Sequence, residues 1–119
     1  MSNKILVVDD DPMMHMLYQA HFRQEMSSGK LIFVFKSNGP SALEYLQENQ
    51  VDYLLADVNM PEMTGLELLE IVKAEYSSLN VIIISGFNKY KQEAEQKGAL
   101  AFLQKPIKME ILKELISND

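Results

Sequence analysis

Apolar residues fall in short, regularly spaced runs along this chain. Ile5 to Val8, Leu31 to Phe35, Tyr53 to Ala56, Val81 to Ile84 and Ala101 to Leu103 are mostly rich in β-branched and aromatic residues. Runs of this length predict strands, and their near-continuous apolar character predicts a sheet covered on both faces. Segments with helical period lie between them. Met13, Met14, Leu17, Ala20 and His21 mark a first helix. Ala42, Leu43 and Leu46 mark a second, and Leu66, Leu69, Ile71 and Val72 a third. Tyr90 and Ala94 mark a weak fourth, and Ile111, Leu112, Leu115 and Ile116 a fifth.

The punctuation agrees with that alternation. Asp11 is placed to cap a helix with Pro12 at its first position. Gly39-Pro40-Ser41 opens the second helix and Gly65 precedes the third. Gly98 stands where a left-handed cap would end the fourth, and Pro106 ends the last strand. The expected fold is α/β: a (βα)₅, doubly wound, parallel five-stranded sheet of flavodoxin-like order 2-1-3-4-5. Residues 1–119 read as one domain, without repeat or linker.

Composition narrows the function. The length suits a single core that buries roughly two-thirds of the unfolded surface. A net charge of -6 and a pI near 4.9 argue against direct nucleic-acid binding and suit cations or basic partners. The absence of cysteine excludes disulfides and thiolate metal sites. The apolar runs are too short to cross a membrane or to form a signal peptide, so a soluble cytoplasmic protein is expected.

In doubly wound sheets ligands bind beyond the carboxyl ends of the strands. The unusual residues stand there. The first strand ends in Asp9-Asp10-Asp11, the third in Asp57, the fourth in Ser85 and the fifth in Gln104-Lys105-Pro106. With Asp11 set aside as a cap, four strands deliver three carboxylates, a hydroxyl and an ammonium to one rim. Carboxylates that crowd together repel, and a dication relieves the repulsion. Hard oxygen ligands without His or Cys select Mg²⁺ over Zn²⁺. A carboxylate can act as nucleophile toward phosphorus, with the metal and a lysine neutralising charge. No base for activating an external alcohol is evident, so the protein itself reads as the phosphoryl acceptor.

ILVVDDDP, LLADVNMPEMTGLELL, VIIISG and FLQKP, in this order and spacing, resemble the receiver domain of two-component response regulators, including chemotaxis receivers. The resemblance covers essentially the whole chain. It implies that Asp57 is the phospho-acceptor, charged by a sensor histidine kinase or a histidine phosphotransfer protein. It implies that Asp10 binds Mg²⁺ directly, Asp9 largely through water, Asp57 as a further carboxylate ligand, and Asn59 through its backbone carbonyl. Ser85 and Phe102 match switch positions, and Lys105 matches the phosphate-binding lysine. Lys105-Pro106 matches a peptide bond that is usually cis. Pro61 and Gly65 match the turn after the acceptor. The surface expected to respond, and to meet a downstream output domain or target protein, comprises the fourth helix, last strand and last helix. Such a protein is a regulatory acceptor rather than an enzyme, although it can catalyse its own phosphorylation and dephosphorylation. Some positions depart from the common pattern. Gly86 replaces a small residue, most often Ala, and its missing Cβ would loosen the following loop. Thr64 replaces a frequent Asp. Asn59 and Phe87 occupy positions that tune dephosphorylation.

Plainer readings compete. Ser85 could bond only a loop backbone, Lys105 could pair structurally, and Phe102 could be ordinary core. His15 and His21 are expected on the first helix away from the rim. The methionines read as core and loop filler. Lys89, Lys91, Glu93 and Glu95 read as the solvated face of the fourth helix. A Mg²⁺-dependent phosphohydrolase is the rival enzyme, but such enzymes usually carry a second Asp where Asn59 stands. A module that signals by contact alone is the rival binder, and the full acidic and basic set argues against it. A flavin-binding domain is disfavoured because no Gly/Ser/Thr-rich loop follows the first strand.

Overall fold

The structure, a computed structural model, describes residues 3–117. Strands β1 (Asn3–Val8), β2 (Leu31–Lys36), β3 (Tyr53–Asp57), β4 (Asn80–Ser85) and β5 (Ala101–Gln104) form one parallel sheet. Its order is β2-β1-β3-β4-β5, as expected. The helices are α1 (Pro12–His21), α2 (Arg23–Ser27), α3 (Gly39–Glu48), α4 (Gly65–Glu75), α5 (Lys91–Gln96) and α6 (Met109–Ser117). A 3₁₀ turn, Asn88–Tyr90, leads into α5. The fourth and fifth helices of the sequence pattern are therefore α5 and α6.

The pleat explains why the central strands read as continuous apolar runs. Leu6, Val8, Leu54, Ala56, Val81 and Ile83 face one way, against Ala42 and Leu46 of α3 and Leu68, Leu69 and Val72 of α4. Ile5, Val7, Leu55, Ile82 and Ile84 face the other, against Tyr18 and Phe22 and against Leu112 and Ile116 of α6. Both sets are buried, so neither face can be polar. Each fully buried Leu or Ile contributes about 1.5–3 kcal/mol relative to exposure. The edge strand β2 is more open, with Ile32 exposed.

Local signals act largely as their chemistry dictates. The Asp11 carboxylate accepts from the Met13 N–H, and Pro12 follows it. Gly98 adopts φ +95 beyond α5, with the Ala99 N–H donating to the Ala94 carbonyl and the Gly98 N–H to that of Glu95, a Schellman closure. Thr64 and Glu67 form a capping box at the start of α4. The second cap is Asn38, whose side chain accepts from the Ser41 N–H.

The first helix differs from the expected pattern. Met13, Met16 and Leu17 are exposed rather than core-facing. The buried stripe is half-buried Met14, then Tyr18 and Phe22, at steps of four. The chain then turns into the extra short helix α2. Met13 and Met16 are accordingly surface residues, whereas Met60 and Met63 pack against the core in the loop before α4.

Candidate functional site

The site is made where β1, β3, β4 and β5 end. Asp9 follows β1 directly and continues its direction, because its N–H donates to the Lys36 carbonyl of β2. Its side chain is buried. One oxygen, Oδ1, accepts from the Asp11 N–H at 2.9 Å. The other lies 3.9 Å from the Lys105 ammonium. Asp10 is exposed on the rim. Asp57, the last residue of β3, is also buried. Its Oδ1 accepts from the Asn59 N–H at 3.2 Å, and its Oδ2 accepts from Lys105 Nζ at 2.7 Å. Carboxylate oxygens of Asp9, Asp10 and Asp57 all lie within 4.8 Å of one another.

Electrostatics follow from that crowding. Burial pushes the Asp9 pKa up, and the charges of Asp57 and Asp10 add to it, against the Asp11 N–H and Lys105. Burial would lower the Lys105 pKa, but the hydrogen bond and charge of Asp57, with Asp9 and Asp11, raise it instead. One ammonium thus pairs with two of the three clustered carboxylates, Asp57 and Asp9. The set is all hard oxygen and underneutralised, which fits a divalent cation.

The loop after Asp57 is held by backbone contacts. The Gly65 N–H donates to the Val58 carbonyl at 3.0 Å, and the Met63 N–H to Pro61 at 2.8 Å. A Cβ on Gly65 would collide with the Asp57 carbonyl, so only glycine fits there. Glu62 turns the chain at φ 72, in the left-handed region.

Ser85 ends β4 and is buried; its hydroxyl accepts from the Phe87 N–H at 3.0 Å, the loop-backbone contact anticipated as its plainer role. Its carbonyl accepts from the Lys105 N–H at 2.8 Å, tying β4 to β5 beside the rim. Phe102, opposite Ile83 in β5, is half-buried against the α3 and α4 side of the core. The Lys105-Pro106 bond is cis, as the resemblance implies. A Cβ at Gly86 would meet nothing within 4 Å, so space alone does not demand glycine.

His15 corrects an expectation. It does not stand away from the rim: its Nε2 lies 2.8 Å from the Asp9 carbonyl, and its ring packs on Phe35 with centroids 4.8 Å apart. The signal was weak in sequence, since it depends on how α1 is rotated over β2. His21, by contrast, is exposed and meets Phe22 edge-on.

Residues 5–117 match the family described as the response regulator receiver domain. The chemotaxis protein CheY of Pseudomonas aeruginosa is 34% identical over 119 residues, covering 97% of this chain and 94% of its own. The transcriptional regulatory protein MalR of Bacillus subtilis is 32% identical over 116 residues, covering 96% of this chain but 48% of its own. The chain thus spans about half the length of that relative. Among solved structures, the chemotaxis response regulator CheY4 of Vibrio cholerae aligns with a TM-score of 0.81 at 30% identity, covering 97% of each chain.

Proposed function

The chain belongs to the response regulator receiver domain family, and from that premise we propose that Asp57 accepts a phosphoryl group from a phosphohistidine. The donor is a sensor histidine kinase or a histidine phosphotransfer protein. An Asp57 carboxylate oxygen forms the new P–O bond while the P–N bond of the donor breaks, its electron pair returning to the imidazole. The product is an aspartyl phosphate. Residues 1–119 act as one domain of a cytoplasmic protein, and the chain is a regulatory acceptor that assists its own chemistry rather than an enzyme with an external product.

The observation that carries this reading is the pairing of buried Asp57 with Lys105 at 2.7 Å, inside a cluster of carboxylates within 4.8 Å of one another. Asp9, Asp10 and Asp57, with the Asn59 backbone carbonyl, would hold Mg²⁺. The ion supplies charge that offsets the phosphoryl oxygens. Lys105 carries the second positive charge, on a flexible stem that can shift from the Asp57 carboxylate to a phosphoryl oxygen. Ser85 can rotate its hydroxyl to donate toward the phosphoryl group. That movement frees space behind β4 and biases Phe102 inward. The surface made by α5, β5 and α6 then shifts its population between two states.

The test uses a small labelled phosphodonor, acetyl phosphate, with Mg²⁺. Label should map to Asp57 and be acid-labile and hydroxylamine-sensitive. Equal labelling of Asp57→Asn would overturn the assignment, and turnover of phosphate esters would favour a phosphohydrolase.

A further inference from the structure

Asp10 is the least supported member of the carboxylate cluster. It is exposed, and its side chain has no hydrogen bond to protein among the described residues. Where its carboxylate points is therefore inherited from its backbone. That backbone is the Asp9–Asp10 peptide, whose carbonyl oxygen faces His15 Nε2 at 2.8 Å. A carbonyl can only accept, so this ring nitrogen carries the hydrogen and donates.

The ring is itself fixed. It packs on Phe35 at 4.8 Å between centroids, and Phe35 stacks on Phe33 at 6.0 Å and 9°. Phe33 in turn meets Phe22 at 5.3 Å and Tyr18 at 6.3 Å, both buried on the inner side of the helix. An aromatic row beneath α1 thus sets the height and rotation of the imidazole. With the Asp9 N–H bound to Lys36 and the Asp9 carboxylate bound to the Asp11 N–H, His15 completes the restraint of the β1–α1 turn.

We infer that His15 is a positioning residue for the cation: it fixes the Asp9–Asp10 peptide, and so aims the Asp10 carboxylate, without touching ion or phosphoryl group. The inference rests on the proposed Mg²⁺ reading of the cluster. Partners that orient metal ligands in this way are worth ~10–100-fold in affinity.

The experiment compares His15→Phe, which keeps a ring on Phe35 but removes the donor, with His15→Gln, which keeps an N–H near the same place but loses the ring. Mg²⁺ binding to each full chain is measured by calorimetry. Melting and Asp11 amide exchange are measured without the ion. His15→Phe should bind Mg²⁺ ~10-fold more weakly than wild type and show faster Asp11 exchange while melting close to it. His15→Gln should keep both affinity and exchange near wild type even if it melts lower. Wild-type affinity in His15→Phe, or equal losses in the two variants, would overturn the inference and leave a packing role. Failure of the wild-type protein itself to bind Mg²⁺ would instead remove the reading on which the inference stands.

Discussion

The Cα of Gly65 lies against the backbone carbonyl of Asp57 with no room for a methyl group between them. The proposed acceptor is therefore held from behind by the first residue of α4. Gly65→Ala should push the two chain segments apart. Overpacking of this kind costs about 1–3 kcal/mol, and the displacement should fall on the Asp57 backbone. Urea unfolding and acetyl phosphate labelling together check this: both stability and labelling should drop, whereas an unchanged labelling rate would show that the strain is absorbed in α4.

Asp9 should trade stability for ion binding. Its pKa is raised in the folded protein, chiefly by burial, so the fold binds more protons than the unfolded chain just above 3.8. Stability without the ion therefore falls as pH rises through the raised value, and the full penalty is present at neutral pH. Asp9→Asn removes that penalty and can still accept from the Asp11 N–H. The variant should melt higher than wild type in EDTA at pH 7, with the gap closing as pH falls toward 3.8. Its Mg²⁺ affinity should be lower. A variant that melts lower at pH 7 would mean that the attraction to Lys105 outweighs burial.

Tyr18 is fully buried, and its hydroxyl has no hydrogen-bond partner among the described residues. Burial first, then the charges of Asp9 and Asp57, push its pKa far above the ordinary phenol value, so it stays neutral. An unsatisfied buried hydroxyl costs about 1–3 kcal/mol. Tyr18→Phe should therefore stabilise the protein by about 1 kcal/mol in urea unfolding. Destabilisation would reveal a hydrogen bond that the hydroxyl makes in solution.

Glu62 occupies the left-handed region at φ 72 within the loop that follows the acceptor. A side chain there costs roughly 1–2 kcal/mol, part of which is offset by the smaller entropy of a non-glycine unfolded chain. Glu62→Gly should stabilise by about 0.5–1 kcal/mol and leave labelling of Asp57 unchanged, since the side chain is exposed. A fall in labelling would show that loop stiffness contributes to the site.

The rim was legible in the sequence because a parallel sheet turns strand-end position into spatial proximity. Asp9, Asp57, Ser85 and Lys105 each stand at or just past the end of a recognisable apolar run, and the structure brings them to one end of the sheet. The first helix was less legible because two stripes compete within it. Met13 and Leu17 have the right spacing and hydrophobicity, yet Tyr18 and Phe22 fill the space over the sheet. His15 follows the same logic: its contact with Asp9 exists only once that rotation is fixed. Asn38 was hidden by the stronger Gly-Pro signal beside it, although its side chain supplies the cap.

The common direction of all five strands has a consequence for anyone who rebuilds this protein. It gives the molecule a working end and a handling end. At the handling end, α3 returns to β3 through Asn49 to Asp52, where Gln50 is exposed. A fluorescent reporter loop or an affinity tag spliced between Gln50 and Val51 would sit across the full depth of the sheet from Asp57. Attachments made there can report on the molecule without perturbing its chemistry, while the same graft at the β1–α1 turn would dismantle it.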